Sequence, residues 1–166
     1  MSFINWGIVG ATLLPNVGGW VSTISMIGKV KQPNGKAWYQ LLNKPSWTPP
    51  SWAFGPAWTI LYTSMGYASY LVFQECGGFT DDSAIPLTLY GVQLALNWTW
   101  TPVFFGMERV GLGLVHILAL DTVAVTCTAS FYRTLPLAGH LMLPYLAWLA
   151  FASSLNYSIW RRNKKE

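Results

Sequence analysis

The chain has 166 residues, of which 52% are hydrophobic and only 10% charged, and its mean hydropathy is +0.34; an ordinary soluble domain carries roughly 25% charged residues. The formal net charge is +4, but the basic residues form no stripe on any periodic segment and the two cysteines are isolated. Composition thus excludes a nucleic-acid-binding domain, an intrinsically disordered chain and a disulfide scaffold.

Residues 1–28, 45–74, 83–107 and 134–160 contain no charged side chain, and residues 110–132 contain Asp121 alone. A bilayer core needs about 20 apolar residues per helix, so the pattern predicts an all-α membrane protein, a single domain over residues 1–166 built as a bundle of five transmembrane helices. The first span is expected at 4–27. Met1 to Trp6 carry no Lys or Arg, and Pro15, Asn16, Gly18 and Gly19 interrupt the apolar run, which argues for a retained helix over a cleaved signal segment. Loop one, residues 29–44, has room for a short helix at 37–42 before the run Lys44-Pro45-Ser46-Trp47-Thr48-Pro49-Pro50 stops it. The second span is expected at 49–73, with Thr48 as N-cap and Pro49 in the first turn. The third follows at 85–105, the fourth at 110–132 and the fifth at 136–160, all joined by short links. Five crossings put nine of the ten Lys and Arg residues on the side of loop one, loop three and the C-terminal tail. The positive-inside rule then turns the C-terminus toward the cytoplasm.

Ten tryptophans are far more than interfacial anchoring needs. Trp6, Trp38, Trp47, Trp52 and Trp160 fall near span ends, where aromatic belts form. Trp58, Trp100 and Trp148 lie deeper. Helical spacing puts Trp58, Tyr62, Met65 and Ser69 on one face, Gln93, Asn97, Trp100 and Phe104 on a second, and Tyr145, Trp148, Ala152 and Leu155 on a third. Such faces suit a flat apolar ligand whose polar atoms are oriented by a few amides; interhelical packing with amides bonded across helices is the alternative. Pro15, Pro56 and Pro144 fall inside three spans, where each removes a hydrogen bond and favours a kink that opens space.

Asp121 is the one formal charge within a span, which makes it either a functional acid or a structurally satisfied one, with Thr122, Thr126 or a neighbouring amide as partners. It lies five residues from His116, about 140° around the helix, so the two form neither a same-face relay nor a metal pair. The spacings of hydrolytic triads, phosphate loops and zinc sites are absent, and neither a metal nor a required cofactor is expected. Leu155, Tyr157 and Arg161 fit the loose cholesterol pattern of an aliphatic residue, a tyrosine and a basic residue, which any apolar helix with an aromatic and basic end satisfies easily.

Several strings converge on one family: Lys44-Pro45-Ser46-Trp47-Thr48-Pro49-Pro50, Trp58-Thr59-Ile60-Leu61-Tyr62 with Met65-Gly66, Ala95-Leu96-Asn97-Trp98-Thr99-Trp100, Pro102-Val103-Phe104-Phe105-Gly106, and Pro144-Tyr145-Leu146-Ala147-Trp148 through Leu155-Asn156-Tyr157. In this order they resemble the translocator protein, or peripheral-type benzodiazepine receptor, family over nearly the whole chain, the eukaryotic branch more closely than the bacterial one. The resemblance implies a five-helix membrane bundle with a pocket opening toward loop one and covered by it. It implies cholesterol, porphyrins such as protoporphyrin IX, and synthetic benzodiazepine and isoquinoline carboxamide drugs as ligands. A place in the mitochondrial outer membrane with a cytosolic C-terminus, contact with membrane lipid and a homodimer are also implied. Matched by motif, the pocket would be lined by Thr23 and Met26, by Phe54, Trp58 and Tyr62, by Asn97 and Trp100, and by Trp148, Ala152 and Leu155. Leu155, Tyr157 and Arg161 would form the cholesterol motif, the last two facing outward.

Two departures bear on this. Thr88 and Val92 stand where vertebrate relatives have the small residues of a dimer motif, with Gly91 and Ala95 one residue displaced, and Leu112 and His116 replace a tryptophan and an acid in span four. Two other functions compete with that of a receptor or carrier. One is a light- and oxygen-dependent protoporphyrin-degrading enzyme with Trp58 and Trp148 as redox-active side chains. The other is a membrane scaffold that uses the basic cytosolic face.

Overall fold

The structure, a computed structural model, describes residues 5–25 and 37–164. It is helical, with no strand element among the described residues: α1 (Trp6–Ile24), α2 (Trp38–Leu41), α3 (Ser51–Glu75), α4 (Asp81–Thr101) continued by a π-helical turn (Pro102–Gly106), α5 (Val110–Thr134) and α6 (Pro136–Arg162). Of these, α5 and α6 are long and apolar enough to cross a membrane by length and composition.

Helix boundaries follow local chemistry. α1 starts where the Asn5 side chain accepts from the Gly7 and Ile8 N–H groups at 3.0 and 3.3 Å. α3 begins at Ser51, and Thr48 does not cap it; the Thr48 hydroxyl turns back to donate to the Pro45 carbonyl at 2.7 Å, within the proline-rich turn. α4 begins four residues before the expected span. Thr80 and Ser83 form its capping box, and Asp81 and Asp82 occupy the first turn, where the helix dipole favours acids that an apolar count leaves out. α6 runs on to Arg162 for the converse reason, with Arg161 and Arg162 in its last turn.

The five long helices close a ring in the order α1, α3, α6, α5, α4 and back to α1, with the antiparallel α5 and α6 sharing the most extensive contact. Prolines shape the seams. Pro102 has no N–H, so the Trp98 carbonyl lacks its helical partner, and Ser22 of α1 supplies one with its hydroxyl at 2.6 Å. In return the Trp98 indole N–H donates to the Pro15 carbonyl at 3.2 Å. Pro15 likewise leaves the Ala11 carbonyl without a helical donor, and that oxygen abuts Gly66 of α3. A Cβ at Gly66 would lie 2.2 Å from it, so α1 and α3 meet there at backbone distance.

Along the axis the bundle is uneven. Toward the α3–α4 link it is a solid core of Met65, Ala68, Val72, Ala124, Cys127, Phe131, Ala138 and Met142, each fully shielded from solvent. Toward the other end the same helices diverge around a cavity.

Candidate functional site

The cavity is about 720 Å³, within the roughly 300–1,000 Å³ of small-molecule sites. Thr23 of α1, Phe54, Trp58 and Tyr62 of α3, Asn97 and Trp100 of α4, and Trp148, Ala152 and Leu155 of α6 all line it. Part of each of the three helical faces read from the sequence thus meets around one space, whereas Met65, Ser69, Gln93 and Tyr145 of those faces are buried and do not line it. Met26 lies outside the described residues.

A file of hydrogen bonds forms the floor and joins three helices. The Tyr62 hydroxyl donates to Asn97 Oδ1, Asn97 Nδ2 donates to the Tyr145 hydroxyl at 3.1 Å, and that hydroxyl donates to Gln93 Oε1 at 2.8 Å. Gln93 Nε2 ends the file on Met65 Sδ at 3.7 Å. Tyr145 and Gln93 are fully buried, so each bond holds atoms that water does not reach, and the file fixes the Tyr62 and Asn97 side chains at the cavity surface.

Aromatic rings form the walls. Trp58 lies 5.3 Å from Tyr62 and 6.4 Å from Trp148 between ring centroids, and Phe54 lies 5.9 Å from Trp148. Trp100 stacks on Phe104 at 4.7 Å, and its indole N–H donates to the Gly113 carbonyl at 3.1 Å. The indole N–H of Trp148, by contrast, is buried and has no partner among the described residues.

The roof includes residues that the sequence reading left out of the site. Tyr39 of α2 lines the cavity, with its ring 5.5 Å from Phe105, and Trp38 packs edge-on against Phe104 at the same distance. Burial holds the Tyr39 phenol above the usual tyrosine range. Phe104 and Phe105 also line the cavity; the π-helical turn presents both. Asn156 lines it as well, its amide oriented to donate to the Val110 carbonyl at 3.1 Å and accept from the Leu114 N–H at 3.3 Å. The helical offset of Asn156 from Ala152, four residues, was the signal that places it there.

Other candidates fall elsewhere. Leu155 is buried and faces the cavity, whereas Tyr157 is 48% exposed and Arg161 is exposed, so the cholesterol pattern divides between the inner and outer faces of α6. Asp121 takes neither a threonine nor an amide as partner: Ser153 of α6 donates to its Oδ2 at 2.6 Å, while Thr122 and Thr126 bond carbonyls of their own helix. His116 Nε2 lies 2.8 Å from the Leu96 carbonyl, tying α5 to α4. Thr88, Gly91, Val92 and Ala95 form an exposed strip on α4. Among the described residues no three His, Cys, Asp or Glu side chains gather to hold a metal ion.

A profile of the TspO/MBR family matches residues 11–161. The chain belongs to the TspO/MBR family. It is 47% identical over 156 residues to the translocator protein of Sus scrofa, covering 94% of this chain and 89% of the pig protein. It is 48% identical over 155 residues to the translocator protein of Homo sapiens, covering 93% and 89% of the two chains. The tryptophan-rich protein TspO of Archaeoglobus fulgidus is 43% identical over 128 residues, covering 77% of this chain and 81% of its own. Membership in this membrane-protein family agrees with the apolar helices, and the matched segment takes in every described residue of the cavity wall.

Proposed function

We propose that this TspO/MBR protein is a membrane receptor or carrier whose cavity takes flat apolar molecules: sterols such as cholesterol, porphyrins such as protoporphyrin IX, and benzodiazepine-type drugs. The observation that carries the reading is the aromatic cavity itself, with Trp58, Trp100 and Trp148 in its walls and Tyr62 and Asn97 on its floor. The walls offer stacking and apolar contact to a ring system, and the few polar atoms select its orientation. In this reading α1, α3, α4, α5 and α6 all cross the bilayer. The excess of basic residues on the loop-one side supports a cytosolic C-terminus, and a place in the mitochondrial outer membrane rests on the motif resemblance alone. The printed name of those relatives, translocator protein, supports movement of the ligand as well as its capture.

The test is a tryptophan-fluorescence titration of the protein in lipid nanodiscs with protoporphyrin IX in the dark. Saturable quenching, weakened by Trp148→Phe and by Trp100→Phe, is expected. Quenching that never saturates and ignores both changes means partition into lipid and overturns the reading. A second reading, light- and oxygen-dependent porphyrin degradation, is favoured by the contact of Trp58 and Trp148 on the cavity wall. It requires that illuminated Trp148→Phe protein lose conversion while still binding porphyrin; equal conversion by the variant removes it.

A further inference from the structure

The roof helix α2 has only four residues, Trp38 and Tyr39 half-buried and the other two exposed, so it has no core of its own and stays in place through contacts made by its neighbours. Two of these are plain. Trp38 and Tyr39 lean on Phe104 and Phe105, and Lys44 reaches back to donate from Nζ to the Tyr39 carbonyl at 2.8 Å with its ammonium 4.7 Å above the Tyr39 ring. The third comes from 120 residues away. The Asn43 backbone N–H donates to Asn163 Oδ1 at 3.0 Å, and Asn163 Nδ2 donates to the Asn43 carbonyl at 3.1 Å.

This is a two-point pairing. One side-chain amide reads both the donor and the acceptor of one residue's main chain, as a neighbouring strand would, and only one relative orientation satisfies both bonds. Asn163 is itself fixed: it caps α6, its N–H donating to the Ile159 carbonyl at 3.1 Å and its Nδ2 to the same oxygen at 2.7 Å. The amide is therefore preorganised on the end of a long helix, and the segment after α2 docks onto it. Ile159, one turn back, lines the cavity, so the latch stands at the cavity's rim.

We propose that Asn163 is the latch that holds α2 closed over the cavity, and that it governs how fast a bound molecule enters and leaves more than how tightly it is held. The kinetic part rests on the function proposed above; the fastening of α2 does not. A lid bond absent from the open state resists opening from either side. Its loss accelerates association and dissociation together and leaves their ratio nearly unchanged, whereas loss of a ligand contact raises dissociation alone.

The experiment uses the full chain in nanodiscs. First, hydrogen exchange without ligand compares wild type, Asn163→Ala, which removes both bonds, and Asn163→Asp, which keeps the acceptor and loses the donor. Exchange at residues 37–44 should rise about tenfold in the alanine variant, equivalent to about 1.4 kcal/mol, and by less in the aspartate variant, while α5 is unchanged. Second, stopped-flow tryptophan quenching by protoporphyrin IX in the dark should show association and dissociation rates rising by similar factors, with Kd within about twofold of wild type. Unchanged exchange at 37–44 in Asn163→Ala overturns the latch. So does a rise in dissociation alone with weakened Kd, which would make Asn163 a ligand contact. If no protein shows saturable quenching but exchange responds as stated, the latch stands and the porphyrin reading falls.

Discussion

Replacing Ser22 by alanine isolates a single interhelical hydrogen bond whose reason for existing can be removed independently. The Ser22 hydroxyl donates to the Trp98 carbonyl at 2.6 Å, and that carbonyl is available because position 102 is proline. Without Ser22, the carbonyl at the seam of α1 and α4 has neither its helical donor nor its substitute. Leaving a buried acceptor unpaired costs about 1–3 kcal/mol, while interhelical bonds measured in a bilayer protein average about 0.6 kcal/mol. The seam is only partly buried, so about 1 kcal/mol is expected, roughly a fivefold change in the unfolding equilibrium. In a Pro102→Ala background a backbone N–H returns at the position that would donate to Trp98, and the same Ser22→Ala change should cost half as much or less. The assay is a double-mutant cycle by reversible unfolding in mixed micelles, followed by far-ultraviolet circular dichroism. Equal costs in the two backgrounds would refute the argument, since Ser22 would then stabilise the seam by packing and not by satisfying the proline's orphan.

Gly66→Ala should destabilise by about 1–3 kcal/mol in the same assay, because its Cβ meets the Ala11 carbonyl oxygen, backbone that has no rotamer to yield; a neutral variant would contradict the close approach of α1 and α3. Tyr145→Phe strips the floor of both bonds at one oxygen, to Asn97 and to Gln93, and is expected to cost about 2 kcal/mol. A loss under about 0.5 kcal/mol, too small for an unpaired buried amide, would mean that the file re-pairs without the hydroxyl. The pH dependence of the roof follows from Tyr39. Its pKa is raised by burial in the folded state, so the closed roof favours the neutral phenol. That contribution is complete below about pH 10, the unfolded value, and is lost as pH rises through the folded one. Protection factors at residues 37–44, with the intrinsic rise of amide exchange with pH divided out, should therefore stay flat from pH 7 to 9 and fall above 10 as tyrosinate absorbance rises; loss of protection between 7 and 9 would contradict it.

The helices were legible because charge placement is a one-dimensional signal. Runs without Asp, Glu, Lys and Arg, or with Asp121 alone in α5, mark α1, α3, α5 and α6 with ends within three residues of those in the structure. The start of α4 was missed by four because Asp81 and Asp82, counted as loop, are favourable in a first turn. The cavity faces were legible for a similar reason: a spacing of three and four fixes which side chains share a side, and Trp58, Asn97 and Trp148 needed no knowledge of neighbours to be grouped. What could not be read was pairing between helices. Nothing local to Asp121 indicates Ser153 as its partner, and nothing near Asn43 points to Asn163, since both depend on how antiparallel helices come into register. The π-helical turn at Pro102–Gly106 was equally hidden, and with it Phe105, which it delivers to the roof beside the Phe104 already grouped with Asn97 and Trp100.

The uneven bundle divides the consequences of change by position along one axis. At the filled end, a lost methyl group has no replacement, so substitutions there register as a loss of folding. At the hollow end, under the function proposed above, a molecule that fits fills the missing volume and adds its own binding energy to the stability of the surrounding helices. The protein's melting behaviour thus becomes a report on its occupant. Drift at the filled end is held in check by the fold itself, while under that function drift along the aromatic walls, away from the hydrogen-bonded floor, alters chiefly which guests the same scaffold accepts.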